Sequence, residues 1–124
     1  MLDPRSFTRS AVAGWQHGFD LTVAASATTS SSACIVGMST FALSCPSLDS
    51  GTIRFQGQCS TADSWRTLVD DAGAAVQVAA TTGGSTIASS SSPMLALTGL
   101  YGVRLVLGAA QTSASRAFVL AGQG

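Results

Sequence analysis

The sequence predicts an all-β protein: an antiparallel β-sandwich, jelly-roll-like, of about eight or nine short strands, with an extended N-terminal arm. Three observations predict it. Apolar and polar residues alternate at period two, most clearly in Gly51–Gln58, where Ile53 and Phe55 fall on one side of the pleat and Thr52, Arg54 and Gln56 on the other. Turn-forming clusters of Gly, Pro, Asp and Ser interrupt these stretches at the spacing of roughly 8 to 12 residues expected of a sandwich. The charged residues include no Lys and no Glu, so the best charged helix formers besides Arg are missing, while Ser, Thr, Val and Gly abound.

Taken in order, residues 1–18 read as an arm and 19–124 as the sandwich domain. The arm contains Pro4, Arg5, Phe7, Arg9, Trp15 and His17. Trp15 is too large and apolar to stand in water alone, so it is expected to pack on something. Alternation begins at Phe19, with Leu21, Val23 and Ala25 on its face, and the ATTSSS segment then reads as a turn. Ala33–Met38 and Phe41–Cys45 follow as strands, ended by Pro46 and by Asp49-Ser50-Gly51. Thr52–Gln58 is the fourth strand and Trp65–Val69 the next. Asp70-Asp71-Ala72-Gly73 makes a hairpin in which Gly73 takes the φ > 0 position. Ala74–Ala79 continues the meander, and Thr82-Gly83-Gly84-Ser85 is a second hairpin signal before Ile87. Met94–Leu100 reads equally as a helical turn or an extended crossing. Tyr101–Leu107 and Arg116–Leu120 are the last strands, joined by a loop of small residues.

The chain has 124 residues, enough for one core, with 46% hydrophobic and 10% charged residues and a formal net charge of zero. Nucleic acids and anionic membranes reward clustered Lys and Arg, and here the six Arg are scattered, so neither partner is expected. A surface with so few charges is poorly protected against association, which predicts a protein partly covered by copies of itself or by a larger assembly. No run approaches the ~18 apolar residues that span a bilayer, and the N-terminal segment lacks a signal-peptide core, so synthesis in a reducing cytoplasm is expected.

The chemistry-bearing residues are sparse. Cys34, Cys45 and Cys59 lack C-x-x-C spacing and read as reduced thiols, with neither a zinc site nor a disulfide framework. Asp63, Asp70 and Asp71 are the closest carboxylates and read as turn residues, with too few oxygen ligands for calcium. His17 is the sole imidazole, and nothing near it in sequence completes a nucleophile–base–orienter set. No enzyme activity, metal or cofactor is expected. The interaction candidates are therefore Arg5, Phe7, Arg9, Trp15 and His17 in the arm and Trp65 in the domain. Trp65 reads as a core or subunit contact in preference to a sugar-stacking platform.

The strand TIRFQGQ, the polar loop bearing Asp63 ahead of SWRTLVDDAG, the strand AAVQVAA, the strand GLYGVRLVL and the closing QTSASRAFVL together resemble small bacteriophage virion structural proteins of the head-decoration or cement kind. The likeness covers about two thirds of the chain, from Thr52 onward; where members carry a D-G turn before the aromatic strand, this chain has Ala62-Asp63-Ser64. The resemblance implies a capsid decoration protein on the virion surface, assembled in the host cytoplasm and bound to the major capsid protein and to copies of itself, as a trimer, with the arm reaching onto the lattice. The alternative is a tail, baseplate or fibre component, in one form a carbohydrate-binding, receptor-facing module built on Trp65.

Overall fold

The computed structural model describes residues 16–79, 83–111 and 114–124. Nine strands and one short helix occur among them: β1 His17–Val23, β2 Thr29–Cys34, β3 Thr40–Cys45, β4 Thr52–Gln58, β5 Arg66–Thr67, β6 Gln77–Ala79, β7 Ser85–Ile87, α1 Ser92–Leu95, β8 Gly102–Leu107 and β9 Arg116–Gln123. They form two antiparallel sheets. The first has the order β1-β9-β3-β7; in the second β2, β8 and β4 are neighbours, and β5 and β6 both pair with the far edge of β4. The chain changes sheet at each step from β1 to β4, and again from β6 to β7, β7 to β8 and β8 to β9. That winding is the jelly-roll form of the sandwich, so neighbours in a sheet are mostly distant in sequence.

The period-two pattern fixes which side chains fill the space between the sheets. Leu21, Val23, Phe41, Leu43, Phe118 and Leu120 enter from the first sheet. Ile53, Phe55, Val103, Leu105 and Leu107 enter from the second, and every one of these eleven is at most 3% exposed. Met94 and Leu97 are equally buried and pack into the same cluster, while Leu95 between them is 61% exposed. The ambiguous stretch before Tyr101 thus resolves as a single helical turn, started by Pro93 in a first-turn position where its missing N–H costs nothing.

Several elements differ from their sequence reading. Strand β1 begins at His17, so His17 and Gly18 belong to the sheet and not to an arm: His17 lies opposite Gly122, and its ring stacks on Phe19 at 6.3 Å. The Ser-rich segment read as a turn contains most of β2, and the strand ends at Cys34 rather than Met38. A bulge between Thr29 and Ser32 explains how so polar a strand is held. At the bulge the Ser30 hydroxyl accepts the Leu105 N–H at 2.8 Å and donates to the Ser31 carbonyl, replacing the lost ladder bond from a buried position. Among the described residues the wrapped order leaves β4–β5 as the one ladder between consecutive strands, with β5 and β6 joined through the single Val69–Ala75 bridge. The Asp70–Gly73 hairpin forms as read: Gly73 has φ 84°, and the Asp70 carboxylate accepts the Ala72 and Ala74 N–H groups at 2.9 and 3.0 Å.

At one end of the sandwich, the loops before β2, before β4 and before β9 meet on Gln111, which is 0% exposed. Its Oε1 accepts the Asp49 N–H, its Nε2 donates to the Ala109 carbonyl at 3.0 Å and the Ser50 carbonyl at 3.3 Å, and its own carbonyl accepts the Ser26 N–H at 2.8 Å. One residue, through its side chain and its backbone carbonyl, therefore ties three connections together.

Candidate functional site

With the inner faces filled by hydrocarbon, the space between the sheets offers no site, and the two outer faces differ in kind. On β1-β9-β3-β7 the outward positions are Gly18, Asp20 and Thr22 from β1, Ala117, Val119 and Ala121 from β9, and Thr40, Ala42 and Ser44 from β3. Asp20 is the one charge among them; Gln123, opposite Thr40 at the end of β9, adds one long polar side chain on the same side, and the rest are short.

The outer face of the second sheet carries long polar groups set by the register. Gln56 lies directly opposite Arg104, and Arg54 directly opposite Gln77. In each pair the guanidinium Nε donates to the amide Oε1, at 2.7 Å for Arg104–Gln56 and 2.8 Å for Arg54–Gln77. Neither guanidinium pairs with a carboxylate among the described residues. The ion pairs there belong to the other two arginines, Arg66–Asp63 at 3.7 Å and Arg116–Asp49 at 3.2 Å.

Trp65 joins this face and not the core between the sheets, which removes the core half of its reading as a core or subunit contact. Because Thr67 opposes the outward Gln56, the alternation turns Trp65 outward as well and sends Leu68 towards Gly57 on the inner side. The indole reaches Gly102, where a Cβ would stand 3.2 Å from Cη2, so glycine is what admits the ring at that point. The Arg104 guanidinium lies over the ring, 4.7 Å from its centroid. That contact is worth about 0.5–2 kcal/mol and commits one face of the indole to its own sheet.

Beside Trp65 the Asp63 carboxylate closes its loop, accepting the Cys59 N–H at 3.1 Å and the Ser64 N–H at 2.9 Å. The Cys59 bond above all, joined by the Ser64 bond and by Arg66, holds this carboxyl below its ordinary range against the opposing effect of desolvation. The thiols divide by environment. Cys45 is buried and desolvation pushes its pKa up to about 11, against a Ser85 hydrogen bond that acts the other way, whereas Cys34 and Cys59 are exposed. The negative charge that Cys34 can carry lifts the Tyr101 phenol above its ordinary range, helped by partial burial and by their hydrogen bond.

Among the described residues no three His, Cys, Asp or Glu side chains converge as a metal site would require. A shallow cleft of about 500 Å³ lies between the β5–β6 hairpin and α1, lined by Val69, Val76, Gln77, Pro93 and Leu95. Val69 and Leu95 are 56% and 61% exposed. Asp70 and Ser92 also line the cleft, and the Asp70 carboxylate is engaged by the Ala72 and Ala74 N–H groups of its own turn. Of the sequence-derived candidates, His17 lies at the rim of the first sheet and Trp65 on the outer face of the second, while Arg5, Phe7, Arg9 and Trp15 lie outside the described residues. The Arg–Gln pairs escaped sequence reading because each depends on a ladder between distant strands. Alternation alone placed Arg54 and Arg104 outward but gave them no partners. Comparison with protein families, with curated proteins and with solved structures finds no match for this chain.

Proposed function

We propose that the chain is a phage capsid decoration or cement protein, a binding rather than catalytic subunit that attaches to the major capsid protein and to copies of itself on the virion surface. The observation that carries this reading is the outer face of β1-β9-β3-β7, short-chained across three strands and charged only at Asp20. Such a surface loses little side-chain entropy and desolvates almost no charge when it is covered, the two main costs of association. The low overall charge and the resemblance in the strands from Thr52 onward support the same reading, and the resemblance implies a trimer with the N-terminal segment reaching onto the lattice.

Three measurements test it. Quantitative protein analysis of purified virions is expected to give a copy number comparable with the major capsid protein; a handful of copies per particle rejects the head role. Ala117→Arg puts a charge at an exposed outward position on β9 and is expected to abolish self-association in sedimentation while leaving thermal unfolding of the monomer nearly unchanged. Association that survives this substitution moves the interface elsewhere. Deleting residues 1–15 is expected to leave the sandwich folded and to weaken attachment to the particle.

A further inference from the structure

We propose that the outer face of β2, β8 and β4 binds a carboxylated polysaccharide, with Arg104 and Arg54 as carboxylate forks and Trp65 as the apolar surface beside them. Each guanidinium is oriented through its Nε by a glutamine directly across the ladder. A glutamine fixes the plane without cancelling the charge, as an aspartate in that place would, and it leaves the two terminal amino groups to take a carboxylate in bidentate fashion. Both arginines lack a carboxylate partner among the described residues, while Arg66 and Arg116 each have one.

The spacing favours a chain ligand over a single anion. Arg54 sits two residues before the partner of Arg104, so the two are diagonal neighbours on one face, about 7–8 Å apart at the backbone. One small anion does not span that distance with bidentate contacts at both ends, whereas acidic groups carried along a polymer do. Ser32 and Thr67, in register with Arg104 and Gln56, add exposed hydroxyls in the same row. The partly exposed indole of Trp65 offers a flat apolar surface to the C–H face of a pyranose. Nucleic acid fits less well, because two arginines on a chain of zero net charge neutralise too few phosphates for useful affinity. This inference requires only the folded chain and does not rest on the head-decoration reading.

Affinity electrophoresis of the full chain through gels containing polygalacturonate, neutral dextran or poly-aspartate tests it. Retardation is expected in polygalacturonate alone, with a weaker effect at high salt. Arg104→Gln and Arg54→Gln are each expected to raise Kd at least about tenfold, because each removes charge-assisted hydrogen bonds. Arg66→Gln, which changes net charge equally but lies off this face, is expected to leave Kd unchanged. In a Trp15→Phe background the fluorescence of Trp65 is expected to shift on binding. Absence of retardation in polygalacturonate overturns the proposal, as does equal retardation in poly-aspartate, which would identify an acidic protein surface. Equal weakening by Arg66→Gln also overturns it, because net charge would then suffice. A low copy number in virions, by contrast, rejects only the head role.

Discussion

The two sheets are alike inside and unlike outside. Their inner faces contribute similar sets of Leu, Ile, Val and Phe, and either could be exchanged for the other without changing the kind of core. Outside, β1-β9-β3-β7 presents Gly, Ala, Ser and Thr almost without charge, while β2-β8-β4 presents Arg, Gln and Trp locked into cross-strand pairs. The core is therefore shared between the layers and the outward chemistry is not. One outer face is suited to being covered by a flat neighbour, and the other to holding a ligand with directional hydrogen bonds.

Equality of the inner faces can be broken by the largest substitutions. Phe55 and Phe118 are both 0% exposed and come from opposite sheets. Phe55→Ala and Phe118→Ala are each expected to cost roughly 3–5 kcal/mol in urea unfolding. A loss below about 1 kcal/mol for one of them would make the layers unequal. Next in size, Gln111→Ala leaves the Asp49 N–H and the Ser50 and Ala109 carbonyls without their partner and is expected to cost about 1–3 kcal/mol. That loss would show that the end of the sandwich, and not only its layers, carries stability.

The outer face of the second sheet can be sharpened by a double-mutant cycle. Trp65→Ala and Arg104→Ala are expected to couple by about 0.5–1 kcal/mol, as a partly exposed cation–π pair should. Additive effects would mean that the guanidinium and the ring merely lie near one another. The smallest effect concerns pH. The Asp63 carboxyl is favoured as the anion in the folded chain, so its contribution is whole above the ordinary value of 3.8 and is lost as pH falls below it toward the lowered folded-state value. Amide exchange at Cys59 and Ser64 is expected to quicken in that window, and Asp63→Asn should remove the transition; an identical acid profile in both proteins would assign it to another group.

Much of the fold was legible because buried strands advertise themselves. β1, β3, β4, β8 and β9 carry large apolar residues at alternate positions, and their faces follow directly. β2 did not announce itself, because TSSSAC has no greasy stripe and its buried Ser30 is stabilised by one hydroxyl bonding to a strand far along the chain. Gln111 was hidden for the same reason: a polar residue in a loop of small ones looks solvated until the neighbouring loops are known to converge on it. Trp65 read as a core or subunit contact, and the sequence could not choose between the two, since the two-residue strand beside it supplies too little alternation to set a face. The Arg–Gln pairs needed the register itself.

The free margins of the sandwich have a consequence of their own. On one side β1 and β2 are stitched together where the Thr22 N–H meets the Ser31 hydroxyl at 3.0 Å. On the other, the outermost ladders run only two or three residues in β5, β6 and β7. A foreign strand arriving there would find no backbone rail long enough to zip onto, so runaway sideways growth into fibres is discouraged. Copies of this molecule crowded together would have to meet broadside, through side chains, where shape and charge can select the partner.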